Sequence, residues 1–370
     1  MRIGYDAKRI FHNRTGLGNY GRDVIRILND HSSITEFCLF NTKASEMDKF
    51  TPSERTTIIY PLHWFWKWMP SLWRLFGQWN QISSLQLDAF HGLSGEIPIQ
   101  FKKRSIPKIV TIHDLIFLSH PHYYNVWDRI IYRLKFKYAV KTADRVIAIS
   151  EHTKSDIIKY FKIDPHKISV VYQGCNAAFK KEYSANEKAT VRQKYELPEN
   201  YIINVGTLQE RKNVLPLLKA IRGSQYHLVL VGEAKKYASK LYAYVKKYQM
   251  DSQVTFLRKV PVRELAILYQ NATVFCYPSI CEGFGIPIIE ALYSKIPVIV
   301  TQGGCFPEAA GPNSIYIDPN DPLDIRNQLN RVFEHPEEYQ SLVEQGYTYA
   351  QRFSDEEVAK HLLEVYKKMI

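Results

Sequence analysis

The residues whose chemistry is most readily inferred are Glu282 and Glu290, which flank the stretch Gly283-Phe284-Gly285-Ile286-Pro287. Two glycines allow close backbone approach, and a proline suits the first turn of a helix. Glu282 is therefore expected in a loop and Glu290 on the helix that follows. Because carboxylates accept hydrogen bonds from vicinal hydroxyls, the pair predicts a sugar site in which Glu282 orients a hexose and Glu290 reaches a ribose. A single isolated acid would more simply lie on a helix surface.

Two adjacent cations, Arg211 and Lys212, follow the predicted strand Tyr201–Val205 and the glycine Gly206. They are expected near a helix start, where positive charge is unfavourable unless an anion offsets it. A diphosphate matches both the fork of an arginine and the point charge of a lysine. The sequence thus predicts a diphosphate site, although solvated surface charges would give the same pattern.

Two further motifs stand at predicted strand ends. His113 follows the strand candidate Ile109–Ile112; the pattern is compatible with a catalytic histidine, but taken alone it favours a buried, hydrogen-bonded one. Gly16 and Gly18 predict a glycine turn whose bare N–H groups could face a phosphate at a helix start. The same glycines could simply connect a strand to a helix.

The elements that position these residues follow from periodicity. Short apolar runs alternate with helical patterns, which is typical of an α/β fold with parallel, doubly wound sheets. The 370 residues, 45% of them hydrophobic, are enough for two domains, predicted to meet near Gly174–Lys180. Ligands of such sheets bind at the carboxyl ends of the strands, so a cleft between the domains is expected. The strand candidates are Ile3–Tyr5, Cys38–Phe40, Ile109–Ile112, Val146–Ile149, Ile168–Tyr172, Tyr201–Val205, His227–Val231, Val254–Leu257, Val274–Tyr277 and Pro297–Val300.

Positive charge is concentrated in the first half of the chain. Residues 1–180 hold 26 Lys and Arg against 15 Asp and Glu, whereas residues 181–370 hold 23 against 22. This asymmetry favours an acidic partner such as a membrane surface, a lipid pyrophosphate or a nucleic acid, or else a solvated basic surface. Nucleic acid is disfavoured because the sequence has no recognition-helix, stacking-sheet or zinc-module pattern.

Five tryptophans lie in the segment His63–Trp79, interleaved with Lys67 and Arg74. Tryptophan beside cations suits the interface between lipid headgroups and acyl chains, which would make the segment a contact with an anionic membrane. Alternatively, the segment is a helix whose aromatic rings pack on the sheet. The sequence leaves both interpretations open.

Location and cofactors are constrained by motifs that the sequence lacks. The five cysteines show no C-x-x-C spacing and no paired framework, which fits a reduced compartment. There is no apolar signal segment at the N-terminus and no run of about eighteen apolar residues, so a cytoplasmic protein is expected. No D-x-D triplet is present, so we expect no metal cofactor.

Together these motifs resemble those of the retaining glycosyltransferases of family 4, which have the GT-B fold. The resemblance covers nearly the whole chain, and its matching stretches are Gly4–Asp6, Thr15–Tyr20, Thr111–Leu115, Ile149–Glu151, Gly206–Asn213, Glu282–Glu290 and Gly303–Glu308. It implies two Rossmann-like domains facing a central cleft. Residues 1–175 would bind the acceptor and residues 176–354 a nucleotide sugar, while residues 355–370 would form a helix that crosses back to the first domain.

The resemblance also implies a role for each matching position, without a metal. Arg211 and Lys212 would hold the donor diphosphate, and His113 would contact the transferred sugar at its 6-hydroxyl. Glu290 would bind the ribose and Glu282 the sugar hydroxyls. The donor site implied in this way comprises Gly16, Gly18, Gly206, Arg211, Lys212, Arg258, Lys259, Glu282, Gly283, Phe284, Gly285 and Glu290, and the catalytic group comprises His113, Arg211, Lys212 and Glu282.

Two positions depart from the family pattern. Arg258-Lys259 stands where relatives more often have a glycine and an aromatic residue near the nucleobase, and Cys305-Phe306 stands where smaller residues are common near the sugar. Mannose from GDP-mannose is the first expectation and a uridine sugar the second, with transfer to a glycan or polyprenyl-linked glycan in surface polysaccharide synthesis. This places the protein in the cytoplasm, with the inner face of the membrane as a candidate partner. The competing hypotheses are a sugar-nucleotide epimerase of the same fold and a non-catalytic protein that binds lipid or polymer.

Overall fold

The computed structural model describes residues 1–13, 15–44, 50–103 and 105–369. It divides into two compact units, one formed by residues 1–174 together with the chain from Ser354 onward, and the other by residues 175–353. The chain therefore leaves the first unit once and returns to it for its last helix.

The first unit is built on a parallel sheet. Its strands are β1 (Arg2–Asp6), β2 (Glu36–Phe40), β3 (Thr56–Ile59), β4 (Ala89–Gly92), β5 (Lys108–Ile112), β6 (Arg145–Ala148) and β7 (Ile168–Val170). Within the described residues these seven strands have the order β3-β2-β1-β4-β5-β6-β7, and every neighbouring pair is parallel. Central strands such as β5 are buried along their whole length, because helices cover both faces of a parallel sheet.

Helices of the first unit occupy the connections between these strands. They are α1 (Lys8–His12), α2 (Gly16–His31), α3 (Trp64–Trp68), α4 (Pro70–Leu72), α5 (Trp79–Ser84), α6 (Ile116–Ser119), α7 (Val126–Thr142) and α8 (Glu151–Phe161). A π-helical turn spans Trp73–Gly77, and 3₁₀ turns span Ile99–Lys103, Pro121–Tyr123 and Pro165–Lys167. Several helices begin with a side-chain cap, as Ser150 does for α8 by accepting from the Thr153 N–H, which satisfies a backbone donor that the helix cannot.

The second unit repeats this plan. Its strands are β8 (Ile202–Val205), β9 (Leu228–Val231), β10 (Val254–Leu257), β11 (Val274–Tyr277), β12 (Val298–Thr301) and β13 (Ile315–Ile317). The described strands form a parallel sheet of order β10-β9-β8-β11-β12-β13. Its helices are α9 (Ala185–Lys194), α10 (Val214–Ile221), α11 (Ala238–Lys247), α12 (Val262–Asn271), α13 (Ile286–Tyr293), α14 (Phe306–Ala310), α15 (Pro322–Glu334) and α16 (Gln340–Ala350), with 3₁₀ turns at Ala177–Lys180, Glu210–Lys212, Pro336–Tyr339 and Gln351–Phe353.

The last helix, α17 (Asp355–Lys367), belongs to the first unit. Its apolar face, including Leu362 and Tyr366, packs into the same core as β1 and α2. Asp355 at its start lies 2.6 Å from the guanidinium of Arg26 on α2. The predicted α/β class with two parallel sheets is confirmed.

Gly16 and Gly18 lie in the first turn of α2, so their predicted place at a helix start is confirmed. They do not follow the first strand directly, because α1 intervenes. The N–H of Gly18 donates to Thr15 O at 2.9 Å, and a Cβ at this position would lie 1.9 Å from Asn13 O at the end of α1. Close packing between the two helices therefore accounts for a glycine at position 18.

Some tryptophans of the segment His63–Trp79 pack on the sheet, and others are exposed, as a membrane contact would require. Trp73 is fully buried, and Trp66 and Trp79 pack partly buried against the same core, as expected for rings that cover the sheet. Trp64 and Trp68 on α3 are 71% and 77% exposed. Across the residues that the structure describes, no helix combines the length and apolar character needed to cross a membrane.

Candidate active site

Several of the predicted donor residues lie where the strand order of the second sheet reverses. β8 and β11 are neighbours from which the chain proceeds to opposite sides of the sheet. Loops that leave the carboxyl ends of such strands diverge and form the crevice in which open α/β sheets bind ligands. The loop after β8 carries Gly206, Arg211 and Lys212, and the loop after β11 carries Glu282 and the glycines that follow it.

Arg211 and Lys212 form a 3₁₀ turn directly before α10, so their predicted place at a helix start is confirmed. Asn213 ends the turn in the left-handed conformation, with φ of 53°, and its amide donates to Pro319 O at 2.7 Å. The N–H of Ile280 donates to the carbonyl of Arg211 at 2.8 Å. The backbone of the cationic turn is thereby tied to the loop after β11.

The carboxylate of Glu282 lies between the two cations. Its Oε2 is 2.7 Å from Arg211 Nη1, and its Oε1 is 2.5 Å from Lys212 Nζ. Tyr277 donates its hydroxyl to Oε1 at 3.1 Å, and Ser279 Oγ lies 2.6 Å from the same oxygen. Lys212 Nζ also donates to the Tyr277 hydroxyl. The sequence predicted that these residues meet at one ligand, and the structure shows that they contact one another directly.

This ionic cluster is largely buried. The side chains of Lys212 and Glu282 are only 11% and 10% exposed. Burial alone would raise the pKa of Glu282, but Lys212 and Arg211 outweigh it and lower that pKa to about 2. Burial lowers the pKa of Lys212, and Glu282 opposes this shift. With Glu282 ionised and both cations charged, the cluster has one positive charge more than its carboxylate neutralises.

The glycines around the cluster allow its close contacts. Gly206 has φ of +150°, and a Cβ there would lie 3.4 Å from Lys212 Cε. Gly285 has φ of +119°, which favours glycine, and directly precedes α13. Phe284 is 2% exposed and its ring meets Phe353 edge to face, so its side chain belongs to the core. Gly283 lies in the loop beside it.

Glu290 lies on α13, as predicted. Its Oε2 accepts a hydrogen bond of 3.0 Å from the hydroxyl of Tyr269 on α12. Burial and then the Glu290 carboxylate raise the pKa of Tyr269 well above its ordinary value, so the phenol stays protonated and serves as the donor. The contact fixes the carboxylate on the helix that begins at the Gly285 turn.

Arg258 and Lys259 lie apart from this cluster, after the edge strand β10, which is separated from β8 by β9. Arg258 donates to the hydroxyl of Tyr242 at 2.5 Å, and its guanidinium lies 5.9 Å from the centre of that ring. Lys259 has φ of +52°, a conformation that costs a side-chain-bearing residue energy. The described contacts of Arg258 are thus with α11.

His113 occupies the end of β5 in the first unit, as predicted. Its Nε2 lies 2.9 Å from Leu93 O, and its Nδ1 lies 3.1 Å from the side-chain amide of Gln173. Because a carbonyl only accepts, Nε2 carries the proton and Nδ1 accepts from Gln173. Burial lowers the pKa of His113 to about 4, so the ring is neutral near pH 7. The Tyr20 ring is nearly perpendicular to the His113 ring, with 4.5 Å between the ring centres.

The side-chain partners that sequence reasoning did not find include Tyr269, Tyr277, Ser279 and Gln173. Tyr277 and Ser279 stand at the carboxyl end of β11. The expectation that ligands bind at the carboxyl ends of parallel strands, which pointed to Glu282, could also have pointed to them. Tyr269 lies inside a helix and Gln173 in an irregular stretch, and neither carries a local signal. Among the described residues, no group of three or more His, Cys, Asp and Glu is arranged to hold a metal ion.

Comparison with known families gives the class of the protein. The family model described as glycosyl transferases group 1 matches residues 187–349, and the model described as glycosyltransferase family 4 matches residues 36–179. The chain therefore belongs to the group 1, family 4 glycosyltransferases, as the resemblance predicted.

Particular relatives are found in O-antigen synthesis. The O-antigen chain mannosyltransferase RfbU of Salmonella typhimurium is 33% identical over 232 residues, which span 62% of this chain and 61% of that protein. The O-antigen chain mannosyltransferase B of Escherichia coli is 26% identical across 99% of this chain and 100% of that protein. The crystal structure of Anabaena HepE in complex with UDP and glucose is similar over 100% of both chains, with a TM-score of 0.79 at 17% identity, which shows the GT-B fold.

Proposed function

We propose that the protein is a retaining hexosyltransferase that moves mannose from GDP-mannose to a glycan or polyprenyl-linked glycan in surface polysaccharide synthesis. Its family and its two O-antigen mannosyltransferase relatives support the reaction class and the sugar. The observation that carries the proposal is the buried cluster of Arg211, Lys212 and Glu282 at the crevice of the second sheet. Its excess positive charge suits the diphosphate of a nucleotide sugar.

The two cations would do most of the catalytic work. As the bond between the anomeric carbon and the phosphate oxygen breaks, negative charge accumulates on the leaving diphosphate. Arg211 and Lys212 stabilise that charge more in the transition state than in the ground state, and burial strengthens the interaction because water does not screen it. No metal is needed in this scheme.

Neither glutamate is well suited to attack the sugar. A double displacement of the glycosidase type needs a carboxylate nucleophile, but Glu282 is held by both cations and Glu290 by Tyr269. We therefore assign Glu282 and Glu290 to binding. The acceptor oxygen attacks from the face that the diphosphate leaves, and its proton passes to a phosphate oxygen of the leaving group, which retains the configuration of the anomeric carbon.

His113 is assigned to a hydroxyl of the transferred sugar. Its Nε2–H is committed to Leu93 O, while its Nδ1 can exchange the Gln173 amide for a sugar hydroxyl. The neutral ring then acts as a hydrogen-bond acceptor and carries no charge toward the developing oxocarbenium ion.

We propose that the reaction takes place in the cytoplasm, with peripheral contact to the inner face of the membrane that carries the acceptor.

The test is transfer by the purified full-length protein from GDP-mannose, UDP-glucose and other common sugar nucleotides, in EDTA, with the product anomer read by NMR. We expect an α-product from α-linked GDP-mannose, lost in Arg211→Ala and kept in Arg263→Ala, an exposed arginine paired with Glu187. An inverted anomer would refute retention, and turnover with UDP-sugars alone would replace the donor. Nucleotide binding without transfer to any acceptor would favour a non-catalytic protein.

A further inference from the structure

Helix α7 presents apolar side chains on two opposite sides. At about 3.6 residues per turn, Phe136, Ala139 and Val140 share one side and pack into the core of the first unit. Trp127, Leu134 and their neighbours recur on the other side at the spacing i, i+3, i+4 and i+7. That outer stripe consists of Trp127, Ile130, Ile131 and Leu134, which are 76%, 45%, 47% and 63% exposed.

Single exposed apolar residues are ordinary, but a contiguous stripe of large ones marks an interaction surface. The stripe on α7 includes one tryptophan and three aliphatic side chains along two turns of helix. Val126, 62% exposed, extends it at the N-terminal end. Among the described residues, the opposite side of the helix is the one that packs into the core.

Cations border the stripe. The helix carries five Lys and Arg and a single acid, Asp128, in its first turn. Arg133 and Lys137 are exposed along one border, and Lys135 along the other is 46% exposed and lies 3.8 Å from Glu96. The region 1–180, to which α7 belongs, also carries nearly all of the net positive charge of the chain. Apolar side chains between exposed cations are complementary to anionic headgroups above acyl chains.

We propose that α7 docks the protein on an anionic lipid bilayer, lying in the plane of the interface with Trp127, Ile131 and Leu134 inserted among the headgroups. Tryptophan is favoured at this depth, and the cations beside it meet the negative surface charge. The stripe from Val126 to Leu134 gives a contact about 12 Å long. The inference rests on the proposed function in one respect, because a lipid-linked acceptor is the reason for the protein to dock.

The charges of α7 favour a lipid bilayer over a second copy of the chain as the partner of the apolar stripe. A symmetric dimer through this surface would place the same patch on both sides of the interface. The interface would then hold Arg133 and Lys137 of both copies against one acid of α7 from each, Asp128, and an excess of like charge in an interface is costly. An anionic bilayer removes this repulsion and uses the same residues favourably.

The experiment is co-flotation of the full-length protein with phosphatidylcholine vesicles that contain or lack about one third phosphatidylglycerol. We expect the wild type to float with the anionic vesicles only, and Leu134→Glu to weaken its partition at least about tenfold, through lost apolar burial and charge repulsion. Leu323→Glu is the matched control, because Leu323 on α15 is also 63% exposed but lies in the other unit. Arg133→Glu with Lys137→Glu should weaken binding and abolish its dependence on phosphatidylglycerol.

Three outcomes would overturn the proposal: no flotation of the wild type, equal flotation of Leu134→Glu, or an equal loss in Leu323→Glu. A wild-type dimer that becomes monomeric in Leu134→Glu, without vesicle binding, would assign the surface to self-association. Thermal-shift titration with nucleotides keeps the two proposals apart. If the wild type floats but binds no sugar nucleotide, the proposed function fails while docking through α7 stands.

Discussion

The two sheets have the same strand order around their first strand, yet their crevices hold opposite charge arrangements. In the first unit, Arg74 from the π-helical turn donates to Asp6 at the end of β1 at 2.7 Å and also pairs with Glu96 after β4. In the second, Glu282 after β11 pairs with Arg211 and Lys212 after β8. One cation thus serves two carboxylates in the first crevice, and one carboxylate serves two cations in the second.

We interpret the first cluster as structural and propose that the second binds a ligand. The excess negative charge in the first crevice has partners within its own unit, since Lys135 lies 3.8 Å from Glu96 and the N–H of Lys8 donates to Asp6. The excess positive charge in the second crevice stands at the position where α/β sheets bind ligands. We infer that the first cluster fixes the tryptophan segment to the sheet and that the second binds an anion.

The largest expected effect follows from removing the cation of the first cluster. Arg74→Met leaves Asp6 and Glu96 facing each other in a site where the arginine side chain is 10% exposed. Breaking a buried pair in this way costs about 3–5 kcal/mol of unfolding free energy. Guanidinium denaturation followed by tryptophan fluorescence measures it, because all six tryptophans lie in the first unit. Arg263→Met, exposed, should change stability by less than about 0.5 kcal/mol, and an equally small loss for Arg74→Met would remove the structural interpretation.

Acid should weaken the two units in different pH ranges. Burial lowers the pKa of His113 from 6.5 to about 4 and that of His91 to about 3. As the pH falls, these histidines are protonated in the unfolded chain before they are protonated in the folded protein. The stability that they contribute above pH 6.5 is therefore lost as the pH falls toward 4. Burial is outweighed at Glu282 by its cations, and its pKa is lowered from 4.5 to about 2. The stability that Glu282 contributes is therefore lost only as the pH falls from 4.5 toward 2. Each of the His113 and Glu282 shifts corresponds to about 3 kcal/mol.

The comparison is measured by unfolding at pH 7.0, 5.5 and 4.0, with tryptophan fluorescence for the first unit and amide hydrogen exchange for the second. His227→Gln is the suitable background, because burial also lowers the pKa of this second-unit histidine. We expect loss of stability at pH 5.5 in the first unit alone. A parallel loss in both units would show that the buried histidines of the first unit do not set its acid sensitivity.

Lys212→Met tests whether the excess positive charge of the second cluster serves a diphosphate. With one cation left, Glu282 neutralises the cluster, and the Kd for a nucleoside diphosphate should rise about 30-fold, or about 2 kcal/mol. Isothermal titration with GDP and UDP measures the change. Lys240→Met, which removes an exposed lysine of the same unit, is the control, and a similar Kd in both variants would place the diphosphate elsewhere.

Much of the fold could be predicted because parallel strands are continuous apolar runs. Every strand candidate corresponds to a strand of the structure, whereas β3, β4 and β13 were missed. β3 is the edge strand Thr-Thr-Ile-Ile with two polar residues, β4 includes a histidine and a glycine, and β13 has three residues. Their pairing depends on neighbouring strands far away in sequence, so local periodicity carries little of the signal.

Site contacts were predicted less well than site positions. The loop position of Glu282 and the helix position of Glu290 follow from local glycines and a proline, but the pairing of Glu282 with the cations requires β8 and β11 to be adjacent. The second apolar side of α7 was missed for a related reason. A helix that is apolar on opposite sides shows no single hydrophobic face, so its periodicity looks weak until the packed side is known.

The smallest expected effect concerns Glu282 itself, which shares its cations with any incoming diphosphate. Glu282→Gln keeps the size of the side chain and an acceptor for Tyr277 and Ser279, but removes the charge that Arg211 and Lys212 now neutralise. We expect GDP or UDP to bind about fivefold more tightly, about 1 kcal/mol, while sugar transfer falls because the carboxylate no longer orients the hexose. Glu264→Gln is the matched control, since Glu264 accepts from Lys194 and Tyr195 in the same unit.

Weaker instead of tighter binding of the diphosphate by Glu282→Gln would be equally informative about the second cluster. If Glu282→Gln binds the diphosphate more weakly, the carboxylate does not compete with the ligand but holds both cations in the geometry that receives it. The excess of charge would then matter less than the preorganisation of two buried cations by one carboxylate. The two clusters would in that case share a principle, in which a central ion of one sign fixes two of the other, and only the second would expose its pair to a ligand.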